Sequence, residues 1–296
     1  MTTPRGILWC LLLALAGAAR AEPVSVVDFT GRTVTLPAPA QRIVALAPHI
    51  VENLYSAGAG DRLVGVVSYS NFPEAARSLP RVGSFNAFSL EQIVAARPDL
   101  ILMWGSGNGA GALEKLERLG IPVYVSELRQ LTDIPASIRL LGELAGTRAH
   151  AEVEAARLQQ GFAELAQRYR NAEPVSVFYQ IWHQPLQTIN GDHLISQVLA
   201  LCGGDNIFAD VATLAPRINL ESVLARNPDA IVAGGMGDAH TEWLHDWHRY
   251  PGLRALQGGL LVVDPDLIQR PTARVLEGAR DLCTQLQRVR KLRNAD

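Results

Sequence analysis

The chain has 296 residues, 48% of them hydrophobic and 19% charged, with 27 Lys and Arg against 29 Asp and Glu. That balance excludes an intrinsically disordered chain, a collagen-like repeat and a nucleic-acid binder with a strongly basic surface.

The first element is a leader. Arg5 precedes an apolar run from Ile7 to Ala16, followed by small residues ending Ala19-Arg20-Ala21. A basic residue, a short apolar core and an A-x-A end predict a secretory signal peptide over 1–21, cut before Glu22. The run is too short to span a bilayer, and no later stretch is long enough. Cys10 lies inside the apolar run, not after a cleavage site, which argues against a lipid-modified terminus. Removing Arg5 and Arg20 and no acid leaves 25 basic and 29 acidic side chains, a formal charge of −4 on 275 residues. That length suffices for two modest lobes or one large domain.

Short apolar, β-branched-rich runs then alternate with helical patterns. They fall at 43–47, 63–67, 100–104 and 123–126, and again at 177–182, 231–234 and 261–264. Continuous apolar runs separated by helices predict buried parallel strands in an α/β fold. Residues 88–102 (FSLEQIVAARPDLIL) and 218–232 (INLESVLARNPDAIV) align without a gap. Each gives a capping residue (Ser89, Asn219), Leu-Glu, an apolar helix face, and Pro-Asp leading into a strand. Pro98 and Pro228 stop the helices, because a proline pushes its preceding residue out of the α region. Two lobes of one plan explain the echo.

Between them, 147–170 holds no proline and one glycine, Gly161, with Val153, Ala156, Leu158, Phe162, Leu165, Ala166 and Tyr169 at helical spacing. This predicts a stiff connecting helix of about 36 Å. The expected organisation is a leader (1–21), an N-terminal lobe (22–146), a linking helix (147–172) and a C-terminal lobe (173–296). After cleavage two cysteines remain, Cys202 and Cys283. An even pair in an exported chain suggests one disulfide, the alternative being two buried thiols.

Two motifs invite an exported enzyme. Gly105-x-Gly107-x-x-Ala110 follows a strand, with Glu127 after the next one, in the manner of a dinucleotide fingerprint; but it follows the third strand-like run, and that fingerprint belongs to the first strand–helix turn. A tight glycine loop lining a cleft is the plainer reading. His240, Glu242, His245 and His248 share a segment, and His245-x-x-His248 fits one side of a zinc site, but Trp243, Trp247 and Tyr250 interleave them. No hydrolase elbow, His-Glu-x-x-His or phosphate loop occurs, and nothing nominates a nucleophile.

Aromatic and polar residues instead collect at the carboxyl ends of strands, where open α/β sheets place ligands. Pro48 and His49 follow the first strand and Tyr69 the second; Phe85 precedes and Phe88 opens the first echo; Trp104 ends the third strand; Trp182 ends the first strand of the second half; Asp266, Leu267, Ile268, Gln269 and Arg270 follow the last. Their convergence predicts a site for a large, flat, largely uncharged ligand held by stacking and a few hydrogen bonds.

On residues 65–73 (GVVSYSNFP), 90–108 (LEQIVAARPDLILMWGSGN), 197–208 (QVLALCGGDNIF) and 220–232 (LESVLARNPDAIV), the chain resembles the class III, helical-backbone (cluster A) periplasmic binding proteins of ABC importers. The Cys-Gly-Gly-x-Asn-Ile-Phe run and the Trp-x-x-Gly-Asn loop resemble the cobalamin branch in particular. The resemblance implies two Rossmann-like lobes with central parallel sheets joined by one long rigid helix, a periplasmic location and a single cleft ligand carried unchanged. That ligand is cobalamin or a related corrinoid, as cargo and not as cofactor. It also implies that Glu91 and Glu221 project from the lobe tips to dock on arginines of the inner-membrane permease, with the chain monomeric. Tyr69 and Trp104 match residues beside the corrin, Phe85 replaces a tryptophan, and Ala215 stands where a further tryptophan is expected. Residues 266–270 match a ligand-contacting segment, with Leu267, Ile268 and Gln269 in place of bulkier or charged residues; Trp182 offers replacement stacking surface. Haem is the strongest rival: His49 or Tyr69 could serve as axial ligand, but Arg270 and Arg217 are thin cover for two propionates. Ferric siderophores would want a more basic pocket, and a metal-ion receptor of the same fold is a further alternative.

Overall fold

The computed structural model describes residues 22–234 and 239–295; the expected leader, 1–21, lies outside them. A hairpin comes first, β1 (Val24–Val27) antiparallel to β2 (Thr33–Leu36). Asp28 shapes its turn, accepting from the amides of Thr30 (2.9 Å) and Arg32 (3.0 Å).

The first lobe runs through β3 (Ile43–Ala45), α1 (Pro48–Ser56), β4 (Leu63–Val66), the short pair β5 (Gly83–Ser84) and β6 (Ala87–Phe88), and α2 (Leu90–Ala95). It continues with β7 (Leu100–Trp104), α3 (Ala112–Glu117), β8 (Val123–Ser126) and α4 (Asp133–Ala145). After α5 (Arg148–Tyr169) the second lobe supplies β9 (Val175–Gln180), α6 (Leu194–Leu201), β10 (Gly204–Asn206), α7 (Leu220–Arg226) and β11 (Ala230–Ala233). It closes with α8 (Ala239–Asp246), β12 (Leu260–Val262), α9 (Pro265–Ile268) and α10 (Val275–Arg293).

Two separate four-stranded parallel sheets result, ordered β4-β3-β7-β8 and β10-β9-β11-β12. The orders match strand for strand, so the two lobes share one plan. Ile43 to Ala45 and Ala230 to Ala233 are wholly buried, as central parallel strands covered on both faces must be.

The echoed segments fold alike. Ser89 Oγ accepts the Gln92 amide at the start of α2, and Asn219 Oδ1 accepts the Ser222 amide at the start of α7. The acid after each proline ties the loop to the neighbouring strand. Asp99 accepts from the amides of Gln41 (2.8 Å) and Arg42 (2.9 Å) ahead of β3, and Asp229 accepts from the amide (3.0 Å) and hydroxyl (2.7 Å) of Ser176 in β9. The repeat therefore encodes a cap, a helix stop and a strand anchor.

Helix α5 is one unbroken helix of 22 residues, about 33 Å long. Its buried face is Ala151, Ala155, Leu158, Gly161, Phe162 and Leu165. This corrects the expected stripe: Val153, Ala156 and Ala166 face solvent, because the small residues Ala151, Ala155 and Gly161 set the close contacts. A Cβ on Gly161 would stand 2.3 Å from Leu276, so glycine is what lets α10 approach. Cys202, just after α6, is disulfide-bonded to Cys283 in α10.

Side chains also cross between the lobes. Gln197 of α6 accepts from the Leu131 amide (3.0 Å) and donates to the Arg129 carbonyl (2.9 Å). On another side, Asn53 donates to the Pro271 carbonyl (3.0 Å) and Glu52 pairs with Arg270 (2.8 Å).

Candidate functional site

Between the sheets lies a cavity of about 570 Å³, walled on one side by Trp104, Ser106 and residues 127–130, and on the other by Asn190, residues 192–194, Ala212, Leu214, Ile268, Gln269 and Pro271. A chamber of about 290 Å³ adjoins it, lined by Ile181, Trp182, Gln187 and Ile195, with His193 and Gln269 shared by both. The larger falls within the size range of small-molecule sites.

Trp104 ends β7 and is held from behind. Asn108 accepts the Trp104 amide (2.6 Å) and donates to the carbonyls of Leu46 (2.8 Å) and Phe85 (2.5 Å), pinning the glycine loop to two neighbours. The Trp104 ring packs edge-on against His49 (centroids 5.2 Å apart) and tilted against Phe85 (5.9 Å). It also lies over Gly107, where a Cβ would come within 1.9 Å of the indole. The glycines therefore make room for a ring. Glu127 accepts from the Ser106 amide (2.8 Å) and hydroxyl (3.1 Å), so the acid that a dinucleotide pattern would aim at a ribose is spent on the loop itself. The loop is the tight glycine turn beside the cleft, and the dinucleotide alternative falls.

Of the residues expected at the site, Trp104, Ile268 and Gln269 line the cavity and Trp182 the adjoining chamber. Tyr69 stands at the carboxyl end of β4 with φ +64°, its side chain 75% exposed. The loop it belongs to touches the other lobe, since Asn71 accepts from Arg270 (2.8 Å) and the Arg274 guanidinium lies over Phe72 (4.1 Å). Tyr69, Phe72, Trp182 and Leu214 are among the few large apolar side chains left exposed.

Pro48, His49, Phe85, Asp266, Leu267 and Arg270 do not line the cavity. Pro48 starts α1, and Leu267 packs its backbone on Gly278. His49 is buried behind Trp104 with Nε2 unpartnered, and burial, helped by Arg270, pushes its imidazole down to about 3. It is thus withdrawn from the axial role considered for haem. Arg270 is engaged by Glu52, Asn71 and Asp266 (3.0 Å). Burial pushes the Glu52 carboxyl up, opposed by Arg270 and Arg274.

The charged side chains on the cavity wall are Glu127, Asp192 and Arg129, and Arg129 lies 3.5 Å from Glu127. The wall thus carries one more negative than positive charge, a poor match for a polyanion. His193, Asn190, Leu128 and Leu214 escaped the sequence reading; a histidine one residue before the apolar run 194–201 is the capping signal that could have exposed His193.

Glu91 and Glu221 occupy the first turns of α2 and α7, exposed and equivalent in the two lobes. The rings of His245 and His248 lie 5.4 Å apart, with His248 Nδ1 against the His245 carbonyl. The His240 side chain lies outside the described residues, and among those described no three potential ligands converge.

The family model for periplasmic binding proteins matches residues 43–266. A vitamin B12-binding protein of Vibrio campbellii is 35% identical over 259 residues, covering 86% of this chain and 92% of that protein. Its counterpart in Pectobacterium atrosepticum is 36% identical over 255 residues, covering 84% and 90%. Among solved structures, the periplasmic vitamin B12-binding protein of Vibrio cholerae superimposes with a TM-score of 0.79 at 34% identity, covering 86% of this chain and 99% of that one. A periplasmic heme-binding protein from Roseiflexus sp. RS-1 gives 0.74 at 22% identity, covering 85% and 99%, a likeness of fold alone.

Proposed function

The chain belongs to the periplasmic binding protein family, and from that membership we propose that it captures cobalamin or a related corrinoid in the cleft and delivers it unchanged to an inner-membrane ABC importer. The observation that carries the choice of ligand is the cavity wall: an indole face, Leu128, Leu214 and neutral amides, with a single guanidinium already near Glu127. A corrinoid is bulky, uncharged over most of its surface and rich in amides, and such a wall offers it stacking area and hydrogen bonds. Haem would bring two carboxylates that need cationic partners, and Arg270 is already held by two carboxylates; of the two axial candidates His49 is buried and only Tyr69 is exposed. The likeness to vitamin B12-binding proteins at 35% and 36% identity supports the same ligand.

In this reading residues 22–146 and 173–296 are the two jaws and 147–172 the strut between them. Tyr69, Phe85, Trp104, Trp182 and residues 266–270 serve the ligand, directly or by holding those that touch it. Glu91 and Glu221, repeated at equivalent tips, dock the loaded monomer on the permease. The leader at 1–21 sends the chain to the periplasm and is removed there.

The test is quenching of tryptophan fluorescence. Trp104 and Trp182 line the cavities, so cobalamin added to the mature protein should quench emission saturably at one equivalent. Quenching by haemin with none by cobalamin would overturn the assignment.

A further inference from the structure

His193 sits at the N-cap of α6, on the partition between the main cavity and the chamber beside Trp182. Its Nδ1 accepts the Ile195 amide at 3.2 Å, so Nδ1 carries the lone pair and the ring proton is on Nε2. Burial pushes the imidazole down to about 4, which keeps it neutral at pH 7. Among the described residues Nε2–H meets no acceptor, and it is not sealed from solvent. Gln269, which lines the same two cavities, donates through Nε2 to the Gly234 carbonyl, which leaves Oε1 as the acceptor of that amide. Both residues line both cavities, so the partition carries one neutral donor and one neutral acceptor, the two functions that a primary carboxamide needs.

We propose that His193 is a specificity-determining residue of the cleft, donating from Nε2–H to the carbonyl of a ligand carboxamide whose N–H₂ meets Gln269 Oε1, and that it does not ligate a metal. The assignment rests on the corrinoid reading, since that ligand class carries such amides around its ring. A metal-bound histidine presents one nitrogen lone pair and donates its other N–H to a carboxylate or carbonyl. Here the other nitrogen faces an amide N–H, which enforces the opposite tautomer. A propionate would favour a charged ring, and this one is neutral.

The test uses His193→Asn and His193→Ser. Both side chains cap a helix and so preserve the start of α6, but neither reaches the cleft with a donor. Cobalamin affinity is measured by calorimetry, the visible spectrum of bound aquocobalamin is recorded, and the thermal midpoint is followed as a check on folding. The expected result is about tenfold weaker binding in both variants, the loss of one desolvated hydrogen bond. The midpoints should stay near wild type and the spectra of wild type and variants should coincide. Unchanged affinity overturns the assignment, as does a spectral shift in wild type that the variants lose, which would mean cobalt ligation. A wild type that fails to bind cobalamin overturns the corrinoid reading itself, so the two failures are distinguishable.

Discussion

Glu52→Ala takes away the buried carboxylate that two arginines share at the contact between the lobes. Glu52 is 3% exposed, Arg270 lies 2.8 Å away and Arg274 3.7 Å away. Removing one partner of a buried ion pair costs roughly 3–5 kcal/mol, because the remaining charge is left uncompensated. Arg270 keeps Asp266, 39% exposed at 3.0 Å, and Arg274 keeps the Phe72 ring. These surviving partners place the loss at the lower end, about 3 kcal/mol. For a chain of this size that lowers the thermal midpoint by about 6–12 °C. Circular dichroism melts of the mature protein at pH 7 measure it. A double-mutant cycle with Arg270→Ala should give a coupling of at least about 1 kcal/mol, since removing both charges leaves less uncompensated than removing one. A midpoint within 2 °C of wild type, or strict additivity in the cycle, would refute a coupled charge contact across the lobes.

Replacing both Glu91 and Glu221 by alanine should leave cobalamin affinity intact and abolish stimulation of the importer's ATP hydrolysis; a tenfold loss of affinity would count against a docking role. Tyr69→Ala should weaken cobalamin binding roughly tenfold by removing an exposed aromatic face from the cleft mouth, and unchanged titration curves would remove Tyr69 from the site. Acid should destabilise the fold through its buried histidines. His49 and His193 are held near 3 and 4, so the unfolded chain takes up protons below about 6.5 that the folded chain refuses, and their contribution is complete above that pH and lost as pH falls. Between pH 6.5 and 4.5 each costs about 2 kcal/mol, and His49→Phe should remove its share of that decline. An acid profile identical to wild type would contradict the burial of His49.

What the sequence made legible was what repetition and periodicity can carry. The seven apolar runs are strands, because a parallel strand buried on both faces has to be continuously apolar. The echo at 88–102 and 218–232 stood out because a cap, a helix stop and a strand anchor must recur together when one plan is used twice. Strand β10 was not legible: Gly204-Asp205-Asn206 is an edge strand held by backbone pairing to β9, with no apolar signature. The aromatic residues of the cleft were half legible. Chain order places Trp104 and His49 at neighbouring strand ends, but it cannot say that the indole faces the cavity while the imidazole lies behind it. Arg270 read as a ligand contact because its charge was visible and its partner was not; Glu52 comes from α1, 218 residues earlier in the chain. His193 went unread because one residue serves both as a helix cap and as a cleft wall, and only the tertiary arrangement combines the two.

Parallel calorimetric titration of the mature protein with cobalamin and with haemin decides between the two ligands. An amide-bearing wall around Trp104 with one acid in excess of its single guanidinium predicts saturable one-to-one binding of cobalamin and at least a hundredfold weaker response to haemin, about 2.7 kcal/mol of discrimination. Tight binding of haemin with no heat from cobalamin would contradict it.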